Sequence, residues 1–186
     1  MRIISGKFKG RSIEFLKSKN TRPLKDSVKE NIFNILNHSE KITVDLIKSK
    51  VLDLYSGIGS FGIECLSRGA QRVTFVEKDY VASNILKRNL IKVSAVDRAF
   101  IHNENIELFL QNNEKKKYDI FFLDPPFADK SFIEIIKTIK KKKIFSNDNL
   151  IVLHREKYTQ DDLELYFQTL LVKIYGRSKV IFGKFN

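Results

Sequence analysis

Cysteine is nearly absent: Cys65 is the only one in 186 residues, so no intramolecular disulfide can form. Histidine is almost as scarce, and His38, His102 and His154 are scattered without metal-ligand spacing, so no metal is expected. No apolar run approaches the ~20 residues that cross a bilayer, and the opening Met1–Gly10 lacks the apolar core of a secretory signal. A cytoplasmic protein with no membrane partner is therefore expected. There is no internal repeat and no low-complexity linker, and 42% hydrophobic with 30% charged residues is a globular balance. The length suits one domain over 1–186, expected as a monomer, with an N-terminal arm and helix over 1–40 and the main fold over 50–186.

Acidic residues are the other shortage. Against 22 Asp and Glu stand 34 Lys and Arg, a net charge of +12, which favours a polyanionic partner through counterion release. Residues 1–30 hold nine Lys or Arg against three Asp or Glu, so half of the excess lies in the arm. Read as a strand, Lys7-Phe8-Lys9-Gly10-Arg11 places Lys7, Lys9 and Arg11 on one face and Phe8 on the other, a basic ribbon. With Arg22, in the loop Asn20-Thr21-Arg22-Pro23, these are the expected phosphate contacts. Ser27 and Glu30 stand in capping-box spacing ahead of a helix with Val28, Ile32, Ile35 and Leu36 on one face.

From residue 50 short apolar runs alternate with helical stretches. Val51–Leu54, Val73–Val76, Ala99–Ile101, Ile120–Leu123 and Leu150–Leu153 read as buried parallel strands. Ser60–Arg68, Tyr80–Ile91, Asn105–Gln111 and Ser131–Lys142 read as the crossover helices between them. The tail Thr169–Phe185 reads as two strands around Tyr175-Gly176-Arg177-Ser178, too close to be anything but antiparallel. The expected fold is α/β and Rossmann-like, a mostly parallel seven-stranded sheet with an antiparallel final strand, as in class I methyltransferases.

Gly57-Ile58-Gly59-Ser60-Phe61-Gly62 follows the first strand and opens a helix, the context a G-x-G-x-x-G nucleotide loop requires. Nicotinamide and flavin enzymes share that loop, so its acidic neighbours decide. Asp53 ends the first strand, where a carboxylate repels a pyrophosphate but favours a ligand with an ammonium and a sulfonium. Glu77, 20 residues after Gly57, can accept from two ribose hydroxyls. A capping carboxylate and an ordinary strand end are the bland alternatives. Tyr55, Gly57, Gly59, Lys78 and Asn105 complete the expected set for S-adenosylmethionine, with Asp124 beside them. Cys65, within the same helix, reads as a small core residue.

Asp124-Pro125-Pro126-Phe127 stands at the end of the fourth strand, at the carboxyl end of the sheet where ligands bind. Two consecutive prolines hold the segment stiffly. An exocyclic base amine is a poor nucleophile, because its lone pair is delocalised into the ring. A carboxylate at Asp124 and the Pro125 carbonyl can take its two hydrogens, turn the lone pair outward and stabilise the charge that develops on nitrogen. Phe127 can stack on the flipped base. A plain turn also begins with Asp-Pro, but the order of the three strand ends favours catalysis.

The segment Val51-Leu52-Asp53-Leu54-Tyr55-Ser56-Gly57-Ile58-Gly59-Ser60-Phe61-Gly62, continuing through Gly69-Ala70, closely resembles the first motif of the RsmD methyltransferases. Arg2-Ile3-Ile4-Ser5-Gly6-Lys7-Phe8-Lys9-Gly10-Arg11, Thr21-Arg22-Pro23 and Phe33-Asn34-Ile35-Leu36 are similar to that family's N-terminal signature. The resemblance implies S-adenosylmethionine as donor and N2 methylation of one guanine of 16S ribosomal RNA, in the small subunit or its assembly intermediate. It assigns the catalytic motif to Asp124, Pro125, Pro126 and Phe127. Leu24, Lys25 and Lys29 depart from the family pattern, which bears on local RNA contacts. Competing readings are an adenine N6-methyltransferase, which the same tetrapeptide would serve, and more remotely a non-enzymatic RNA-binding assembly factor.

Overall fold

The computed structural model describes residues 1–16, 24–113 and 116–186. Among these are seven strands: β1 Lys50–Leu54, β2 Arg72–Val76, β3 Ala99–His102, β4 Tyr118–Leu123, β5 Phe145–Glu156, β6 Gln168–Tyr175 and β7 Ser178–Lys184. Five α-helices accompany them: α1 Asp26–His38, α2 Ser60–Ser67, α3 Tyr80–Lys92, α4 Ile106–Asn112 and α5 Phe132–Lys142. The strands form one sheet in the order β3-β2-β1-β4-β5-β7-β6. The first five are parallel, and β7 runs antiparallel between β5 and β6. This is the Rossmann-like class I methyltransferase sheet that the βα alternation predicts.

Over 51–54, 73–76, 120–123 and 150–153 the strands are buried and largely apolar, because both faces of the sheet are covered there. Val51, Val73, Phe75, Ile120, Phe122, Leu150 and Val152 belong to one buried cluster. Their neighbours Leu52, Val76, Phe121, Leu123, Ile151 and Leu153 belong to the other. No helix among the described residues is long and apolar enough to cross a membrane. The strand order reverses between β1 and β4, and at such a point the loops leaving the two strands part and open a crevice at their carboxyl ends.

Two local expectations are corrected. The basic segment is no strand: backbone bonds Lys9 N–Gly6 O and Arg11 N–Phe8 O, both 3.1 Å, make successive turns. Gly6 and Gly10 supply the positive φ of 82° and 81° those turns need. The burial pattern still holds, with Phe8 2% exposed and Lys7, Lys9 and Arg11 at the surface. The capping box does not form either. Lys29 N donates to Lys25 O at 2.9 Å, so the helix begins at Asp26 and Ser27 falls inside its first turn. Arg22 and its loop lie outside the described residues.

The arm is fastened to α2. Glu64, fully buried, accepts from Ile4 N (2.8 Å) and Ser5 N (2.9 Å) and pairs with Arg68 Nε at 2.8 Å and Lys29 Nζ at 3.9 Å. Ser67 receives Phe8 N on its hydroxyl and Lys7 N on its carbonyl. A Cβ on Gly6 would sit 2.0 Å from the Ser67 carbonyl oxygen, so only glycine allows this approach. Lys29 is therefore a buried counter-ion, and its departure from the family pattern concerns the core, not an RNA contact.

Candidate active site

The crevice is a cavity of about 370 Å³ lined by the ends of β1, β2, β4 and β5. Its floor is the loop after β1. Tyr55 adopts φ 62° and Gly59 φ 82°, and a left-handed tyrosine costs about 1–2 kcal/mol, strain of the kind concentrated at ligand sites. Burial also pushes the Tyr55 phenol upward. Gly62 serves packing instead: a Cβ there would lie 2.3 Å from the Phe75 ring. Phe61 stacks on Phe122 at 3.8 Å, and Phe33 on Phe61 at 5.2 Å, so α1, α2 and β4 form one rigid wall. Met1, Phe15, Leu16 and Leu24 bring both ends of the N-terminal arm to the cavity.

Three carboxylates line this space: Asp53, Glu77 and Asp124. Asp53 is 1% exposed; its Oδ2 accepts from Gly62 N at 3.0 Å, capping α2, while its Oδ1 is buried without a partner. Burial chiefly, with the nearby charges of Asp124 and Glu77, holds its carboxyl well above the usual range, the Gly62 bond opposing them. Glu77 accepts from Gly57 N at 2.7 Å and Asp79 N at 2.8 Å, so it also ties the glycine loop to β2. Asp53 thus caps as its bland reading foresaw, Glu77 does more than an ordinary strand end would, and both line the cavity besides. An orphaned buried carboxylate oxygen among like charges fits a cationic ligand, and it would repel a pyrophosphate.

Lys78 lines the same cavity. Asn105 lies with Tyr55, Glu77 and Lys78 around a smaller space of about 90 Å³ next to it, and its Oδ1 caps α4 through Leu108 N at 3.0 Å. Asp124, Pro125, Pro126 and Phe127 form the opposite wall. Lys7, Lys9 and Arg11 stand apart from the lining, on the turn docked against α2. Cys65 is buried in the core, where burial raises its thiol.

Two residues of β5 were missed by sequence reasoning. His154 Nδ1 lies 2.7 Å from Asp124 Oδ1, at hydrogen-bond distance. Arg155, 1% exposed, donates to the carbonyls of Pro126 (3.3 Å) and Phe127 (3.2 Å) and pairs with Asp161 at 3.1 Å. The apolar run suggested a strand ending at Leu153, yet β5 continues to Glu156. The available signal was lateral: with β4 and β5 adjacent, the residue after Leu153 falls beside the residue after Leu123.

The family model described as Conserved hypothetical protein 95 matches residues 1–184. Ribosomal RNA small subunit methyltransferase D of Haemophilus influenzae is 35% identical over 159 residues, covering 84% of this chain and 79% of its own. The protein of that name from Buchnera aphidicola subsp. Baizongia pistaciae is 37% identical over 156 residues, covering 84% and 76%. A solved Escherichia coli structure described as a methyltransferase matches with TM-score 0.84 at 27% identity, covering 100% of this chain and 98% of that one. Sheet order, acid-lined crevice and these matches agree: the chain belongs to the RsmD family of S-adenosylmethionine-dependent methyltransferases.

Proposed function

We propose that the protein methylates the exocyclic N2 of a guanine in the 16S RNA of the small ribosomal subunit. The observation that carries the reading is the Asp124-Pro125-Pro126-Phe127 wall facing the acid-lined cavity. Asp53, Tyr55, Gly57, Gly59, Glu77, Lys78 and Asn105 would hold S-adenosylmethionine, with Asp53 and Glu77 supplying its acidic partners. When bound, that cofactor supplies an electrophilic methyl group.

Asp124 and the Pro125 carbonyl accept the two amine hydrogens and present the nitrogen lone pair to the methyl group. As the nitrogen–carbon bond forms, and the methyl carbon's bond to sulfur breaks with its electron pair left on sulfur, positive charge gathers on nitrogen, and the Asp124 carboxylate stabilises it. The surplus proton then leaves to Asp124 or to water. Phe127 stacks on the base once it has left its helix. The exposed Lys7, Lys9 and Arg11, with Arg22, contact phosphates.

Labelled S-adenosylmethionine and small-subunit particles lacking the modification provide the test. The expected product after digestion is labelled N2-methylguanosine. N6-methyladenosine would overturn the base assignment, and absence of label despite cofactor binding would overturn the reading. Asp124→Ala is expected to abolish turnover while cofactor binding stays nearly intact.

A further inference from the structure

We infer that His154 is the positioning residue of Asp124: its Nδ1–H clamps one carboxylate oxygen so that the other meets the amine. The inference rests on the catalytic reading of Asp124. Leu123 of β4 pairs with Leu153 of β5 in parallel register, which sets Asp124 and His154 side by side where the strands end. The 2.7 Å contact joins Nδ1 to Asp124 Oδ1. An ionised carboxylate has acceptors only, so Nδ1 carries the hydrogen.

An aspartate held at its backbone alone still turns broadly about its last torsion. Fixing Oδ1 on the imidazole removes that freedom and commits Oδ2 to the substrate side. His154 is itself held, with its side chain 7% exposed against 21% for Asp124 and its ring edge-on to Phe127 at 5.8 Å. One imidazole thus touches both the carboxylate and the aromatic ring of the tetrapeptide. The adjacent Arg155 ties down the Pro126 and Phe127 carbonyls, so two consecutive residues of β5 secure the segment.

The imidazole brings a polar atom that packing does not need. His154 Nε2 is buried without a partner, and an unsatisfied buried polar atom is costly. A leucine would fill the space without it. What histidine adds here is the Nδ1 donor.

The test compares His154→Ala, His154→Asn and Asp124→Ala under single turnover, using unmodified small-subunit particles and S-adenosylmethionine. Misplacing a reacting group by about 1 Å costs on the order of 10²-fold, so His154→Ala is expected to lower the rate by about that factor. The particle KM and cofactor Kd are expected to stay within about threefold, because the lost interaction acts in the transition state. Asparagine places an N–H near the position of Nδ1, and His154→Asn is expected to recover at least tenfold of the loss, on the order of half the logarithm. His154→Leu, which keeps volume and removes the donor, replaces His154→Ala if the alanine variant unfolds. A native rate in His154→Ala or His154→Leu, or no recovery in a folded His154→Asn, overturns the inference. Turnover surviving in Asp124→Ala would instead overturn the catalytic reading, which keeps the two failures distinct.

Discussion

Replacing Glu64 with glutamine tests how the N-terminal arm is attached. Glu64 and Lys29 are fully buried, and the carboxylate accepts from the backbone of Ile4 and Ser5 as well as from Arg68. Glutamine offers one acceptor oxygen instead of two, so one of these donors faces an amide NH2. It also strips Lys29 of its buried counter-ion. Burial already lowers the Lys29 ammonium against the pull of Glu64, so the variant leaves a desolvated cation with the half-exposed Asp26 at 3.6 Å and two neutral acceptors, the Arg2 carbonyl at 3.3 Å and the Ser60 hydroxyl at 3.2 Å. Breaking a buried pair costs about 3–5 kcal/mol, and at about 2–4 °C per kcal/mol for a chain of this length the midpoint falls by about 6–20 °C. Thermal denaturation reads the midpoint, and hydrogen exchange at the Ile4 and Ser5 amides reads the docking. Adding Lys29→Met is expected to restore part of the loss, as a double-mutant cycle measures. An unchanged midpoint with unchanged protection at Ile4 and Ser5 would refute the reasoning.

Asp53→Asn is expected to raise the midpoint of the cofactor-free protein at neutral pH and to weaken S-adenosylmethionine binding, both read by thermal shift with and without cofactor. The sign follows from the raised carboxyl: the folded state holds a proton that the unfolded chain releases, so stability is lost as pH rises from the ordinary value through the raised one. Gly62→Ala is expected to cost about 1–3 kcal/mol by overpacking against the Phe75 ring, read by urea denaturation. Replacing Lys7, Lys9 and Arg11 together by serine is expected to weaken RNA binding and to flatten its log–log salt dependence by about 2–3, measured by titration at several salt concentrations.

The βα alternation, the glycine loop and the tetrapeptide are local signals, so the sheet and two walls of the crevice were legible before any coordinates. Asp53 and Glu77 were legible as cavity residues because each follows an apolar run at a fixed distance from Gly57. What failed was also local. The alternating Lys7–Arg11 pattern suggested a strand, but glycines at positions 6 and 10 turn the chain, and alternation cannot distinguish a strand from paired turns. The capping box failed because its spacing fits Ser27, while the backbone starts the helix at Asp26.

By itself, the order of residues along the chain determined the fold class and the donor and singled out Asp124 as the candidate for the chemistry, because each depends on neighbours a few positions apart. Only the tertiary structure decided what lies across the sheet. Lys29, in the basic arm, is the buried partner of an acid 35 positions away on α2. His154, one of three scattered histidines, stands against Asp124, 30 positions from it. Periodicity within one element carries no information about which element packs beside it; lateral register and burial do, and they exist only once the sheet has formed.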